Sequence, residues 1–290
     1  MSIPMNNVCV GCFVGKRLAQ IDALGNEEQA TQMGKKILQM YAESPADMDS
    51  ALLGGLVDAE ICRFYGIDPD QFREEKEMSN RFVMERLEVI RGRVEQAEDP
   101  IYAGLQYAVL GNYLDFSALA GQVSFEDLEK MLDKAKEIDL DRQTYGEFCA
   151  DLEKGGKLLY ITDNAGEIAF DRVLAEQISK KYPGVAITVM VRGGIISNDA
   201  TREDAEAVGI SFPVIDSGAA IGGTAISRCS REAQAAIREA DVILAKGMGN
   251  TESMYGCGYN VYYAFLVKCE RFIEYFNKPK MTPMFIRDNG

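Results

Sequence analysis

The chain has 290 residues, 47% hydrophobic and 26% charged, an ordinary globular composition with room for one large domain or two modest ones. Its formal net charge of −14 opposes nucleic acid and anionic membrane surfaces, which are met first through Lys and Arg, so neither is expected as a partner. There is no histidine, which excludes Ser-His-Asp and Cys-His nucleophiles, His-ligated zinc and imidazole acid–base work, and leaves any metal to oxygen or thiolate ligands.

The opening stretch MSIPMNNVCVGCFVGKRL lacks a basic segment followed by an apolar one, and no later run is long enough for a membrane span. Seven scattered cysteines do not resemble a secreted disulfide framework, so a reducing, cytoplasmic setting is expected. Cys9 and Cys12 have metal or redox spacing but no second pair nearby, which leaves free thiols and a metal or redox role both open. From Glu27 to Glu43 the apolar residues Ala30, Met33, Ile37, Met40 and Tyr41 recur at three and four, one face of a helix. Leu52, Leu53, Leu56, Val57 and Ile61 repeat the pattern, as do Phe82, Val83, Leu87, Ile90 and Val94. Ser124 with Asp127 predicts a capped helix running through Phe125, Leu128, Leu132 and Ala135.

Near Gly155-Gly156 the character changes, which suggests a helical domain over 1–150 and an α/β domain over 151–290. The runs KLLYIT, VAITVMV, ISFPVI and DVILA predict strands. Helices are predicted between them at about Glu167 to Lys181, Arg202 to Ala207 and Arg231 to Ala240. Such alternation indicates a Rossmann-like, mainly parallel sheet with helices on both faces, whose ligands bind at the carboxyl ends of the strands.

The residues after those strands are therefore the candidate site. Asp163, Asn164 and Glu167 follow the first strand, Arg192 and Asn198-Asp199 the second, Asp216-Ser217-Gly218 the third, and Lys246-Gly247-Met248-Gly249-Asn250 the fourth. Each fragment alone is an ordinary turn or helix cap, but caps do not require acids, amides, a lysine and an arginine to converge on one rim. Asp163 and Asp199 supply anionic oxygen ligands and Asn164 a neutral one, a set suited to magnesium, manganese or a similar divalent cation. Lys246 and Arg192 are cations for substrate phosphate, and Gly247 and Gly249 offer backbone N–H groups.

The blocks Asp163-Asn164-Ala165-Gly166-Glu167 with Asp171, Asn198-Asp199-Ala200-Thr201 and Lys246-Gly247-Met248-Gly249-Asn250 resemble the signature of the damage-control phosphatase family, metal-dependent hydrolases of damaged or surplus phosphometabolites. Their order and spacing match over roughly the whole C-terminal half. Cys9-Val10-Gly11-Cys12, Lys76 with Ser79-Asn80, and Gly111 through Phe116 resemble the helical region of the family's prokaryotic-type branch. The resemblance implies a divalent cation (Mg, Mn, Co or Ni) on Asp163, Asn164 and Asp199, with Lys246 contacting phosphate. It also implies that Glu167 binds substrate or assists a water and that Asn250 contributes. Ser253 stands where a glycine is expected, and Gly222-Gly223 where proline–glycine is more usual.

No P-loop occurs, and alanine two positions after Asp163 removes the aspartate pair of haloacid-dehalogenase-type enzymes. Gly247 to Glu252 begins like a dinucleotide fingerprint but carries glutamate at the third small position. The expected activity is hydrolysis of small phosphorylated metabolites such as sugar phosphates or phosphopantetheine-like compounds. An S-adenosylmethionine-dependent carboxyl methyltransferase and a non-catalytic phosphometabolite-binding module are the alternatives. The helical half is expected to close over the strand-end rim.

Overall fold

The computed structural model describes residues 3–114 and 125–288. Ser124 of the expected capping box, and Asp115 and Phe116, lie outside them. The first part is helical: α1 (Asn7–Asp22), α2 (Glu27–Ala42), α3 (Ser50–Tyr65), α4 (Arg73–Met84), α5 (Leu87–Glu95), α6 (Pro100–Gly111), α7 (Phe125–Asp133) and α8 (Arg142–Glu153). The second alternates: β1 (Gly156–Ile161), α9 (Glu167–Lys181), β2 (Val185–Val191), α10 (Arg202–Ala207), β3 (Val214–Asp216), α11 (Arg231–Glu239), β4 (Val242–Lys246), α12 (Gly247–Met254), β5 (Val261–Leu266), α13 (Glu270–Phe276) and β6 (Pro283–Asp288).

The stripe Phe82, Val83, Leu87, Ile90 and Val94 is buried throughout, yet it is carried by two helices and not one. The backbone turns at Glu85-Arg86 with helix-like bonds from Arg86 N to Val83 O and from Ile90 N to Arg86 O, so the apolar face continues across the break. The run ISFPVI yields strand only from Val214, because Pro213 has no N–H to give a ladder. β5 and β6 join the four strands read from sequence.

The sheet order is β3-β2-β1-β4-β5-β6, parallel except for the antiparallel β5–β6 pair. Its strands bury both faces. Leu158, Tyr160, Leu244, Tyr262 and Leu266 point into a core shared with helices α4 to α9. Their neighbours Leu159, Ile161, Ile243, Tyr263 and Phe265 point into a second core with α11 and α13. This period of two, with both faces covered, is what makes the strands read as continuous apolar runs. Helices α1 to α3 enclose a smaller core of Phe13, Ile21, Met33, Ile37, Leu53, Val57 and Ile61.

The proposed boundary at 150/151 marks a change of secondary structure but does not divide the core. Residues of α4 to α8 and of the sheet belong to one hydrophobic cluster. Contact is closest between α6 and α9, where a Cβ on Gly111 would lie 2.7 Å from the Phe170 ring and 3.2 Å from Glu167 Cα. Glycine there lets the end of α6 reach the start of α9. Asp99 opens α6 by accepting from the N–H groups of Ile101 and Tyr102, with Pro100 in the first turn. No helix among the described residues is long and apolar enough to cross a membrane.

Asp151 of α8 fastens the helical layer to the far end of the sheet. It accepts from Asn260 (2.9 Å), the Tyr262 hydroxyl (2.8 Å), Arg287 (3.0 Å) and Lys154 (2.6 Å). Burial alone would raise its pKa, but the bonds from Lys154, Asn260 and Tyr262 and the Arg287 charge bring it down to about 2. A carboxylate depressed in the folded state contributes stability above its unfolded pKa and loses it as pH falls through the folded one. Asp151→Asn is expected to melt below the wild type at pH 7, with the gap closing between about pH 4 and pH 2, as thermal melts across that range would measure.

Candidate functional site

In this strand order the chain leaves β1 toward β2 on one side and returns at β4 on the other, so the crevice between the carboxyl ends of β1 and β4 is the topological switch point. Asp163 and Asn164 lie just past β1. An isolated antiparallel bridge pairs Asn164 with Asp199, flanked by bonds from Ala165 N to Asn198 O (2.9 Å) and from Ala200 N to Asp163 O (2.8 Å). Backbone pairing therefore sets the three expected ligands side by side.

Asp163 and Asp199 keep 9% of their surface exposed, whereas Glu167 and Lys246 keep none. Asn164 donates its amide protons to Asp163 Oδ2 (2.8 Å) and Glu167 Oε2 (2.9 Å), which leaves its carbonyl oxygen as the atom able to ligate. Gly247 has φ +79°, and a Cβ there would fall 1.9 Å from Asp163 Oδ2. The Asp163 carboxylate thus occupies the space that any other residue at 247 would fill.

The expected phosphate contacts are placed differently. Lys246 gives its three protons to Ala108 O (2.8 Å), Glu167 Oε1 (2.6 Å) and Asp171 Oδ1 (2.9 Å). Burial would pull its pKa down, but Asp171 and Glu167 outweigh that and hold it above the ordinary lysine value. It is an internal counter-ion, because the end of β4 faces the first two turns of α9 and not the rim. Glu167 is likewise enclosed, with Oε1 on Lys246 and Oε2 on two amides, so it does not reach the crevice to bind substrate or assist a water. Burial pushes Asp171 up to about 6 against the pull of Lys246, helped by the Glu167 charge.

Arg192 is also buried. It donates Nε to Asp199, Nη1 to Gly223 O (2.8 Å) and Thr224 Oγ1 (3.2 Å), and Nη2 to Asn250 Oδ1 (3.0 Å), and it lies 3.6 Å from Asp163 Oδ1. It is a brace between the two aspartates and the loop after β3, with its donors committed to protein. Asn250 completes the brace by donating to Thr162 O (3.0 Å) and Lys246 O (2.6 Å). Gly249 packs against the backbone of Gly223. The two departures from the family pattern meet here, since Ser253 Oγ accepts the Thr224 N–H (2.7 Å) beside Gly222-Gly223.

The helical half supplies residues that strand-end reasoning did not assign to the site. Asn112, at the end of α6, donates to Asp163 Oδ2 (3.1 Å) and Glu167 Oε2 (3.0 Å). Asn80 of α4 accepts the Gly166 N–H (2.6 Å) and donates to Asp204 (2.8 Å), which Lys76 also pairs (2.7 Å). The signal available was the side-chain chemistry of Asn112, Lys76 and Asn80 amid apolar helices. Most of the helical half covers one face of the sheet; it meets the rim through these residues and through α3, whose Gly55 packs on Ile221 and Gly222. Cys9 and Cys12 sit on α1 as free thiols.

Among the described residues no three Cys, Asp or Glu side chains gather as a ready-made metal cluster. The donor set is two carboxylates and an amide carbonyl, all hard oxygens, which fits a cation that keeps several waters. Around them Asp163, Glu167, Asp171 and Asp199 face Lys246 and Arg192, with Lys268 bonded to the Asn112 backbone carbonyl nearby, so carboxylates outnumber cations among these residues.

Removing Lys246 would leave Glu167 and Asp171 buried without a counter-ion. Lys246→Met is expected to lower the unfolding free energy by about 3–5 kcal/mol, measured in urea melts. A lysine held out to substrate would show almost no such loss.

A model of the damage-control phosphatase ARMT1-like domain matches residues 5–282. The chain is 35% identical over 283 residues to an uncharacterised protein of Methanocaldococcus jannaschii, covering 94% of this chain and 92% of that one. It is 31% identical over 242 residues to a damage-control phosphatase of Pyrococcus horikoshii, covering 82% and 81%. A damage-control phosphatase of Archaeoglobus fulgidus is 27% identical over 275 residues, covering 91% and 92%. The crystal structure of a DUF89 family protein from Pyrococcus horikoshii superposes with a TM-score of 0.84 at 26% identity, covering 98% of this chain and 99% of that one. With a family match over nearly its whole length and two relatives above 30% identity, the chain belongs to the damage-control phosphatase family.

Proposed function

We propose that this chain is a metal-dependent phosphatase of small phosphorylated metabolites, with Asp163, Asn164 and Asp199 as the ligands of a divalent cation such as Mg, Mn, Co or Ni. The observation that carries the reading is the bridge between Asn164 and Asp199, which gathers three oxygen donors at the switch point amid an excess of negative charge. The Pyrococcus and Archaeoglobus relatives are named damage-control phosphatases, which supports phosphatase activity.

A bound cation would supply Lewis-acid polarisation of the phosphoryl group and a more acidic water. The remaining work falls to the protein. Asp163 and Asp199 hold their carboxylates at the crevice while the enclosed Glu167–Lys246–Asp171 group keeps the floor rigid. Arg192 draws charge from both aspartates and fixes the loop that carries Gly223 and Thr224. With Lys246 and Arg192 occupied, phosphate oxygens depend on the cation and on backbone donors. The N–H groups that open α12, at Gly247 to Gly249, begin beside Asp163 and lack partners within their own helix. Since the net charge of −14 repels an anionic substrate at long range, this local positive potential is what makes binding feasible.

Phosphate release from a panel of sugar phosphates, phosphopantetheine derivatives and nucleotides is expected to stop after chelation and to return with Mg, Mn, Co or Ni. Undiminished release after metal removal would overturn the reading. Asp163→Ala is expected to lose both manganese binding in calorimetry and phosphate release, because one carboxylate and one amide make a poor shell for a hard cation.

A further inference from the structure

We infer that Asn112 is a positioning residue of the metal centre, delivered to the α/β half by the helical half. Asn112 and Asn164 approach the same pair of oxygens from different elements. Asp163 Oδ2 accepts from Asn112 Nδ2 at 3.1 Å and from Asn164 Nδ2 at 2.8 Å, while Glu167 Oε2 accepts from the same two groups at 3.0 and 2.9 Å. Two buried carboxylates of like charge are thereby held together by four N–H bonds. In a water-poor interior that is the arrangement that keeps both from turning away.

The two amides are not equivalent. The carbonyl of Asn112 accepts the Leu266 N–H at 3.3 Å, and its backbone carbonyl accepts Lys268 Nζ at 2.5 Å. Turning the amide over would set its oxygen against two carboxylates and its NH₂ against an N–H donor. Chemistry therefore commits Asn112 to donating, and it has no oxygen to offer a cation. Asn164, whose side-chain oxygen accepts no bond from the described residues, is the one able to ligate. With Oδ2 held by two amides and wedged over Gly247, the Asp163 carboxylate turns its other oxygen toward Arg192, whose Nε is bound to Asp199. Asn112 is the part of this clamp that comes from outside the strand-end loops. The close approach of α6 and α9 at Gly111 is what brings it there.

The inference rests on the metal reading above, and manganese calorimetry separates the two. Asn112→Ala is expected to fold and to bind Mn²⁺ roughly 10–100-fold more weakly, the usual effect of deleting a group that orients a ligand. Asn112→Ser, which keeps one donor, is expected to lose less, and it carries the test if the alanine variant does not fold. Gln106→Ala serves as the control. It removes bonds from the same helix to Lys136 O and Ile138 O, away from the site, and should lower the melting temperature without changing Mn²⁺ affinity. A folded Asn112→Ala that binds Mn²⁺ like the wild type would overturn the inference while leaving the metal reading intact. So would affinity losses that simply track melting temperature across the three variants. A wild-type chain that binds no Mn²⁺ would overturn the metal reading and the inference with it.

Discussion

Glu167, Asp171 and Lys246 are enclosed where β1 and β4 part, shielded from bulk solvent. Burying such charges is costly unless each is matched and hydrogen-bonded, and the surroundings supply partners to all of these side-chain atoms but Asp171 Oδ2. Lys246 gives every proton it has, one of them to Ala108 O of α6, so the helical half takes part in the neutralisation. Tyr160 adds a hydroxyl to Asp171 from the middle of β1 (2.7 Å). The cluster acts as the floor on which Asp163 and Asp199 stand, and it accounts for an acidic site at the centre of an already acidic chain.

The same constraint explains why the helical and α/β halves cannot be treated as separate bodies. A floor that needs donors from α6 and from β4 exists only when α6 is seated, and α6 is seated by apolar contact with α9 and the sheet. Asn80 repeats the arrangement at the start of α9 by accepting the Gly166 N–H, while Lys76 and Asp204 pair beneath it. The site is therefore assembled by long-range contacts, and its rigidity derives from the core. Metal-site geometry held by packed elements is less able to drift than one held by loops alone.

Some elements were easy to read and others were not. Met33 and Ile37 of α2, or Val57 and Ile61 of α3, stand out because charged residues lie between them and their period marks one buried face. Helix α6 is buried almost all round, from Ile101 to Gly111, so it has no polar face to reveal a period. Strand β5, with all six residues buried, is silent for the same reason. The capping signal at Ser124 falls outside the described residues.

The sequence by itself determined the alternation of the first four strands with their helices, the absence of imidazole chemistry, and the identity of the residues at those strand ends, since these depend on local pattern and composition. It also carried Asp163 and the bridge partners Asn164 and Asp199 as candidates, because acids and amides after a strand are visible as such. What it could not determine is which strand-end side chains face the crevice and which face inward. Lys246 and Arg192 look equally suited to phosphate in one dimension. Their direction is decided by what packs opposite, α6 and α9 for the lysine, and Asp199 with the Gly223 loop for the arginine. Asn112 belongs to the site only because glycine at 111 lets two helices approach, a condition that exists once the chain has folded.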